Sequence, residues 1–418
     1  MAEEIRLPHE KGLDHTMDLL REGYLFLSNR RESLHSQYFT VRLMGKKMIC
    51  LNGKEAAALF YREDYFKRQG VAPMRVQKTL FGKSAIQGLD GEEHKRRKEL
   101  FMTLLTGEYE DRLLAIIATK LENALTGFEK RETINLFRES RSILLQSVCE
   151  WAGIPLKEKE KNQLIRDFTL MIYSFGRVGK VYREGKKARK RVEAWVQNVV
   201  EAVRLGHYKA DKESPLVFVC SYQDSNGNLL DANMAAIELI NLLRPIFAIA
   251  TYVVFTALAL KEHPECKEAL EGSDPVSLHY FCQEVRRYYP FSPFIGAKVK
   301  KNFIWKGIRF PKGTIVLLDL YGTDHDPAIW GNPFEFWPSR FDKREGGLYD
   351  FIPQGGGNIR KGHRCAGDMI TVKIMELFLN ALANKITYTI PDQDLSYSLS
   401  QIPTLPSSGF IMENVKRK

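Results

Sequence analysis

Residues 351–368 constrain the fold of this chain more than any other stretch. They read Phe-Ile-Pro-Gln-Gly-Gly-Gly-Asn-Ile-Arg-Lys-Gly-His-Arg-Cys-Ala-Gly-Asp. Five glycines surround one cysteine, Cys365. Glycine allows positive φ and close backbone approach at an entropic cost. That density predicts main chain pressed against something flat or bulky. From Asp368 onward, apolar residues recur with helical period. Cys365 therefore sits in a loop that feeds a helix, where backbone amides favour a thiolate. Such a thiolate can be a nucleophile, a redox thiol or a metal ligand.

Composition narrows the choice. The six cysteines are scattered singly with no CxxC pair, which argues against a structural zinc site and for a reduced, cytoplasmic protein. The net charge of +11 suits nucleic acid, an acidic membrane surface or a small anion. No nucleic-acid recognition motif accompanies it. The basic run Lys186-Lys187-Ala188-Arg189-Lys190-Arg191 lacks interleaved aromatics and reads as a solvated helix face. The N-terminus is polar, without a signal-peptide pattern. The most apolar run, Pro245 to Leu260, is shorter than the roughly 20 residues a membrane span needs, so it predicts a buried core helix and no membrane anchor.

Along the chain, Thr16–Leu34 predicts one amphipathic helix. Tyr38–Leu51 predicts a β-hairpin turning at Gly45-Lys46-Lys47. Lys54–Phe60 predicts a helix, and 68–91 a long loop with short turns. The helical bulk spans 92–290, with breaks near Gly107, Gly153 and Gly176. Asp231 predicts the N-cap of a long helix from about Asn233 to Lys261, and another helix runs from Asp274 to Tyr289. Strands are expected at 297–301, 303–310, 314–318, 386–390 and 410–415. The whole chain, 1–418, reads as one mainly α domain with small sheets near 38–51, 297–318 and 386–415.

Glu284 and Arg287 are spaced to share a helix face. Alone they would be a weak surface pair. Downstream, Phe336-Trp-Pro-Ser-Arg340-Phe341 offers a second arginine fixed among aromatics, which could complete a buried network. Glu-x-x-Arg, then Phe-x-Pro-x-Arg-Phe, then a glycine-rich loop with one cysteine ahead of a helix, resembles the cytochrome P450 superfamily over nearly the whole chain. The resemblance implies haem b with Cys365 as axial thiolate to iron, and Glu284, Arg287 and Arg340 as the structural network behind it. A thiolate ligand favours O–O cleavage. The sequence departs from the common pattern beside the cysteine. His363 stands where an arginine is usual, with Arg364 next to it, and both are assigned to the cofactor. His94 and Lys98 replace the usual Trp-x-x-x-Arg and become propionate donors, with His94 at the pocket rim. Lys95 and Arg96 read as a solvated face.

The long helix departs further. The usual acid and threonine over the iron are missing from Leu242-Leu243-Arg244-Pro245-Ile246-Phe247-Ala248. Pro245 removes an N–H and predicts a kink. Arg244 is a permanent cation in an apolar helix and needs an anion. Glu238, six residues away, lies on another face. A substrate carboxylate is the better partner, and it would supply the missing acid–base group to peroxide. The Arg-Pro pair, with Ile-Pro-Gln-Gly-Gly-Gly and Gly-His-Arg-Cys-Ala-Gly, resembles the fatty-acid peroxygenase branch.

The resemblance implies hydrogen-peroxide-dependent hydroxylation of long-chain fatty acids at the α or β carbon, some decarboxylation to terminal alkenes, and no redox partner protein. It places Gln87 over the haem, where glutamine in place of histidine favours hydroxylation. Arg244, Pro245 and Gln87 are thus the expected catalytic residues. Phe81, Phe291 and Phe294, with Arg244 and Gln87, are the expected substrate contacts. Two alternatives remain: a reductase-dependent monooxygenase of the same fold, and a haem sensor or carrier without turnover.

Overall fold

The computed structural model describes residues 5–418 except Ser225, Ser273, Lys343 and Glu345. The N-terminal segment holds α1 (Thr16–Glu22) and α2 (Phe26–Ser33), separated by a 3-10 turn at Gly23–Leu25. The single helix expected there is broken for a tertiary reason. Gly23 has φ +59°, and a Cβ on it would lie 2.2 Å from the carbonyl oxygen of Leu399. Apolar periodicity continues across this point, but the approach of the distant turn at Leu399-Ser400 bends the chain. Gly23→Ala should therefore destabilise the fold by about 2–3 kcal/mol, read as a fall in urea midpoint at unchanged slope.

The hairpin β1 (Tyr38–Leu43) and β2 (Lys46–Leu51) turns at Met44-Gly45, both with positive φ. This is the two-residue turn whose twist suits paired strands, and it leaves Lys46 and Lys47 inside β2. After α3 (Lys54–Phe60) and the short β3 (Phe66–Lys67), residues 68–90 hold only the one-turn α4 (Met74–Val76), a π turn at Gln77–Phe81 and a 3-10 turn at Ile86–Gly88. The helical bulk follows: α5 (Gly91–Leu104), α6 (Glu108–Phe128), α7 (Leu136–Ala152), α8 (Glu158–Tyr173), α9 (Gly179–Arg204) and α10 (Pro215–Ser221). A short strand, β4 (Thr133–Asn135), interrupts it.

The long apolar helix is two segments, α11 (Ala232–Ala248) and α12 (Ala250–Glu262). Asp231 caps it by accepting from Met234 N. Pro245 has no N–H for the carbonyl of Asn241. One turn later Ile249 N bonds to Ile246 O at 3.2 Å, in place of the carbonyl four residues back. The distortion thus runs from Asn241 to Ile249 and opens the ladder on the turn that carries Arg244. The 31-residue span passes for a membrane helix by length and hydropathy, but 94% of its apolar window is buried inside the protein, as expected of a core helix.

After α13 (Glu265–Glu268), α14 (Pro275–Tyr288) starts from the N-cap Asp274 and ends before Pro290. Then come β5 (Phe294–Val299), β6 (Phe303–Trp305), β7 (Ile308–Phe310) and β8 (Ile315–Asp319). The run 303–310 is thus a hairpin and not one strand, because Lys306 and Gly307 both take positive φ. Two short helices, α15 (Leu320–Asp324) and α16 (Pro327–Trp330), lead to the cysteine loop and α17 (Asp368–Asn380). The chain closes with β9 (Ile386–Thr389) and β10 (Ile411–Arg417).

Strands far apart in sequence share one five-stranded sheet, in the order β1-β2-β8-β5-β3, with β2 and β8 parallel and the other pairs antiparallel. A second sheet joins β4, β10 and β9. The main apolar core lies among the helices around α12, where every residue from Ala250 to Leu260 is buried. Two smaller clusters sit on the faces of the large sheet.

Candidate active site

The cysteine loop is held from both sides. Cys365 N bonds to Gln354 O at 3.1 Å, and Gly357 N to Leu348 O at 2.8 Å. A Cβ on Gly355, at φ +89°, would lie 2.8 Å from the Tyr61 hydroxyl, and one on Gly356 would meet Leu348 O at 2.8 Å. The flat body pressing on the glycine run is therefore Tyr61, itself stacked on Tyr349. Gln354 Nε2 reaches Cys365 Sγ at 4.0 Å. Burial pushes the Cys365 thiol up, against the opposing field of Lys98. The Gly367 amide acts toward the thiolate, as the sequence predicts, but burial outweighs it. A bound metal cation would take the sulfur as thiolate outright.

Behind the loop, Asp368 sits between Arg286 and Arg364. It accepts from Arg286 Nη2, and from Arg364 Nε at 2.9 Å. The Arg364 side chain is thereby turned to Asp368, so its place is in the frame of the loop. Deeper still, Glu284 is fully buried. Its carboxylate accepts from Arg287 Nε at 2.8 Å and Nη2 at 2.7 Å, Arg340 Nε at 3.1 Å and Trp337 N at 2.8 Å. The structure thus brings Glu284, Arg287 and Arg340 together as one network.

Beside Cys365 is a cluster of cations and rings. His94 and His363 stack, with centroids 3.9 Å apart. Burial, then each other's proximity or that of Arg68 and Lys98, pushes His94 down to about 3, and His363 down to about 4 despite Asp90 Oδ1 3.7 Å away. His94 is buried and not at the rim as its sequence position suggested. Lys98 donates to the carbonyl of Arg364, and burial lowers it to about 8. Arg68, absent from the sequence argument, is buried over the rings of Phe60 and Tyr61, and burial lowers it to about 10. Asp90 meanwhile accepts from the backbone of Arg68 and Gln69.

This cradle has more buried donors than acids, and such an excess needs an anion. Two carboxylates beside a thiol that needs a metal cation fit haem b, whose propionates are anionic and whose iron takes the sulfur. His94, Lys98, His363 and Arg68 would hold the propionates, and Cys365 the iron. Arg68→Met should speed haem loss to an acceptor apoprotein several-fold, the scale of losing one charge-assisted bond. The far-ultraviolet circular dichroism of the variant should match the parent.

On the opposite wall, Arg244 is buried and has no ion pair among the described residues. Its Nη2 donates to Asn241 Oδ1 at 3.3 Å, its Nε has no partner, and its guanidinium carbon lies 5.9 Å from the Phe81 ring centroid. Burial, then Arg189, lowers it to about 9, while Cys365 acts in the other direction. Glu238 is committed elsewhere, to Arg97 at 2.6 Å, Ile86 N at 3.1 Å and Asn241 Nδ2 at 3.1 Å. Asn241 also donates to Phe81 O at 3.0 Å. These bonds fasten the 77–91 loop to α11, and with it Phe81 and Gln87. Gln87 Oε1 is buried without a partner. Phe291 packs on the main core, stacked on Tyr252 at 4.4 Å. Phe294 packs instead with the Phe26–Phe39 cluster under the large sheet. The expected trio of channel aromatics is therefore split.

A sequence profile described as Cytochrome P450 matches residues 277–410, the stretch that runs from α14 past the cysteine loop. The whole chain superposes on solved structures of the same description. Cytochrome P450EX alpha, solved with myristic acid, is 42% identical at TM-score 0.96, covering 99% of this chain and 100% of that one. The chain belongs to the cytochrome P450 family. Cytochrome P450 OleT, ligand-free, is 38% identical at TM-score 0.95, with 99% of each chain covered. Cytochrome P450SP alpha, in complex with (R)-ibuprofen, is 38% identical at TM-score 0.93, covering 97% of this chain and 99% of that one. This P450 is a haem-thiolate oxidoreductase of the fatty-acid peroxygenase branch. Its sequence pointed to Cys365 and Arg244. It did not reveal Arg68, Arg97, Asp90 or the Glu238–Asn241 pair. The only signal for the last two was polar residues in an otherwise apolar helix.

Proposed function

We propose that this P450 uses hydrogen peroxide to hydroxylate long-chain fatty acids at the α or β carbon, with the substrate carboxylate held by Arg244. The observation that carries the reading is a buried guanidinium with one N–H unpartnered and no ion pair among the described residues. A buried charge without a partner costs several kcal/mol, so a ligand carboxylate restores what the fold leaves open. Myristic acid and ibuprofen, the ligands of two structural relatives, are both carboxylic acids.

Bound haem supplies an iron whose thiolate ligand favours O–O cleavage. The residues around it direct the proton. With neither acid nor alcohol on the Arg244 turn of α11, the held carboxylate is the acid–base group. One of its oxygens takes a proton from peroxide and returns it to the departing oxygen, which leaves as water. The same clamp fixes which carbons meet the oxidant, since only those next to the carboxylate come near. Pro245 shapes the turn that presents Arg244. Gln87 carries no titratable proton, so its amide positions and does not transfer, which favours hydroxylation with little decarboxylation. Peroxide is dioxygen already reduced by two electrons and is itself the oxidant, so hydroxylation yields only water beside the product and no redox partner protein is required.

The test mixes the purified haem-loaded protein with myristate and hydrogen peroxide, without reductant, and identifies products by mass spectrometry. Hydroxymyristate with oxygen next to the carboxyl end supports the reading. Turnover only with NADPH and a reductase would make it a reductase-dependent monooxygenase. No turnover under either condition would favour a sensor or carrier.

A further inference from the structure

The basic run 186–191 reads as solvated in sequence, yet one of its cations points inward. Arg189, on α9, is 1% exposed. Its Nε donates to Glu193 Oε1 at 2.6 Å and its Nη1 to Leu80 O at 2.7 Å. Its Nη2 is buried and has no partner. That nitrogen is packed against the loop that carries Phe81. A Cβ on Gly82, at φ +89°, would lie 2.6 Å from it and 2.6 Å from Ile237 of α11. Only glycine fits between the arginine and the helix. Phe81, the residue between these two contacts, is the one whose ring faces Arg244.

We infer that Arg189 is a positioning residue of the carboxylate site, a second buried cation that seats the Leu80–Gly82 segment and adds positive potential beside Arg244. This rests on the carboxylate reading above. Geometry supplies the seat through Leu80 O and the unpartnered Nη2. Electrostatics supplies the field. After burial itself, Arg189 is the largest influence lowering Arg244, and Glu238 also acts on Arg189. Glu193 offsets part of its charge but is itself partly exposed. Two guanidinium groups near one pocket penalise each other until an anion enters, which makes the site selective for carboxylates over neutral chains.

The experiment measures binding of myristate and of tetradecanol to the holoprotein by calorimetry, for the parent, Arg189→Gln and Arg189→Lys. Glutamine keeps one donor for Leu80 O and removes the charge; lysine keeps the charge. The expected result is a loss of about tenfold in myristate affinity for Arg189→Gln, the order expected for one unit charge acting through a side-chain layer. Tetradecanol affinity should change less than about twofold, and Arg189→Lys should recover most of the myristate affinity. Equal loss for both ligands would show a purely structural seat and overturn the inference. So would unchanged myristate binding in Arg189→Gln. If Arg189→Gln does not fold, the lysine variant decides: a parent-like ratio of the two affinities supports the inference, and a collapsed ratio overturns it. Should the parent itself not prefer myristate to tetradecanol, the Arg244 reading fails first. Should Arg244→Leu abolish that preference while Arg189→Gln leaves it intact, only the present inference fails.

Discussion

Arg244→Leu should lower kcat/KM for peroxide-driven fatty-acid oxidation by at least about a hundredfold, the lower range for losing a positioned acid–base group. Haem content should be unchanged, because the contacts of Arg244 are to Asn241 and Phe81 and not to the Cys365 loop or the His94–His363 cradle. The stability effects should have opposite signs with and without ligand. Without fatty acid, the variant should melt higher than the parent, since leucine replaces a buried guanidinium that has only Asn241 as partner. With myristate, the parent should gain several degrees by mass action and the variant should not. A differential scan of both proteins with and without ligand checks this. A variant that loses activity yet keeps the ligand-induced rise would show that Arg244 acts on chemistry without holding the substrate. A variant that turns over normally would remove the clamp from the mechanism altogether.

The same residue shows what could be read from the chain alone. A lone arginine followed by proline in an apolar helix is a local anomaly, and local anomalies are legible. Glu284-x-x-Arg287 and the glycines before Cys365 are legible for the same reason. Their meaning lies in spacing within one element or one turn. What escaped needed two elements to meet. Arg68 is unremarked in sequence because its surroundings, Phe60 with Tyr61, His94 and His363, come from three separate segments. Arg189 looked like its neighbours Lys187 and Lys190 because helix periodicity alone cannot say which side a loop will cover. The break at Gly23 depends on Leu399, nearly the whole chain away. The resemblance places Phe294 in the channel, but the strand it opens turns it to the sheet cluster.

Glu284→Ala should be the most damaging single change to the fold. The carboxylate is fully buried and accepts four hydrogen bonds, from Arg287 twice, from Arg340 and from the backbone of Trp337. Removing it leaves two arginines without their anion and one N–H unpaired. Deleting one partner of a buried ion pair costs about 3–5 kcal/mol, and the orphaned N–H adds about 1–3 kcal/mol. That approaches the whole stability of an ordinary domain. The arginines cannot simply turn to water. Arg287 also donates to the carbonyls of Asp324, Pro333 and Glu335, and Arg340 to those of Trp330, Asn332 and Glu335. Those bonds pin the segment between α15 and the cysteine loop, so losing Glu284 should also loosen Cys365. The expected outcome is protein with little haem and a collapsed urea midpoint. Glu284→Gln, which keeps the shape and two acceptor positions but not the charge, should fall between the two. A Glu284→Ala protein with parental haem content and midpoint would mean that the carbonyl bonds, and not the carboxylate, hold the arginines in place.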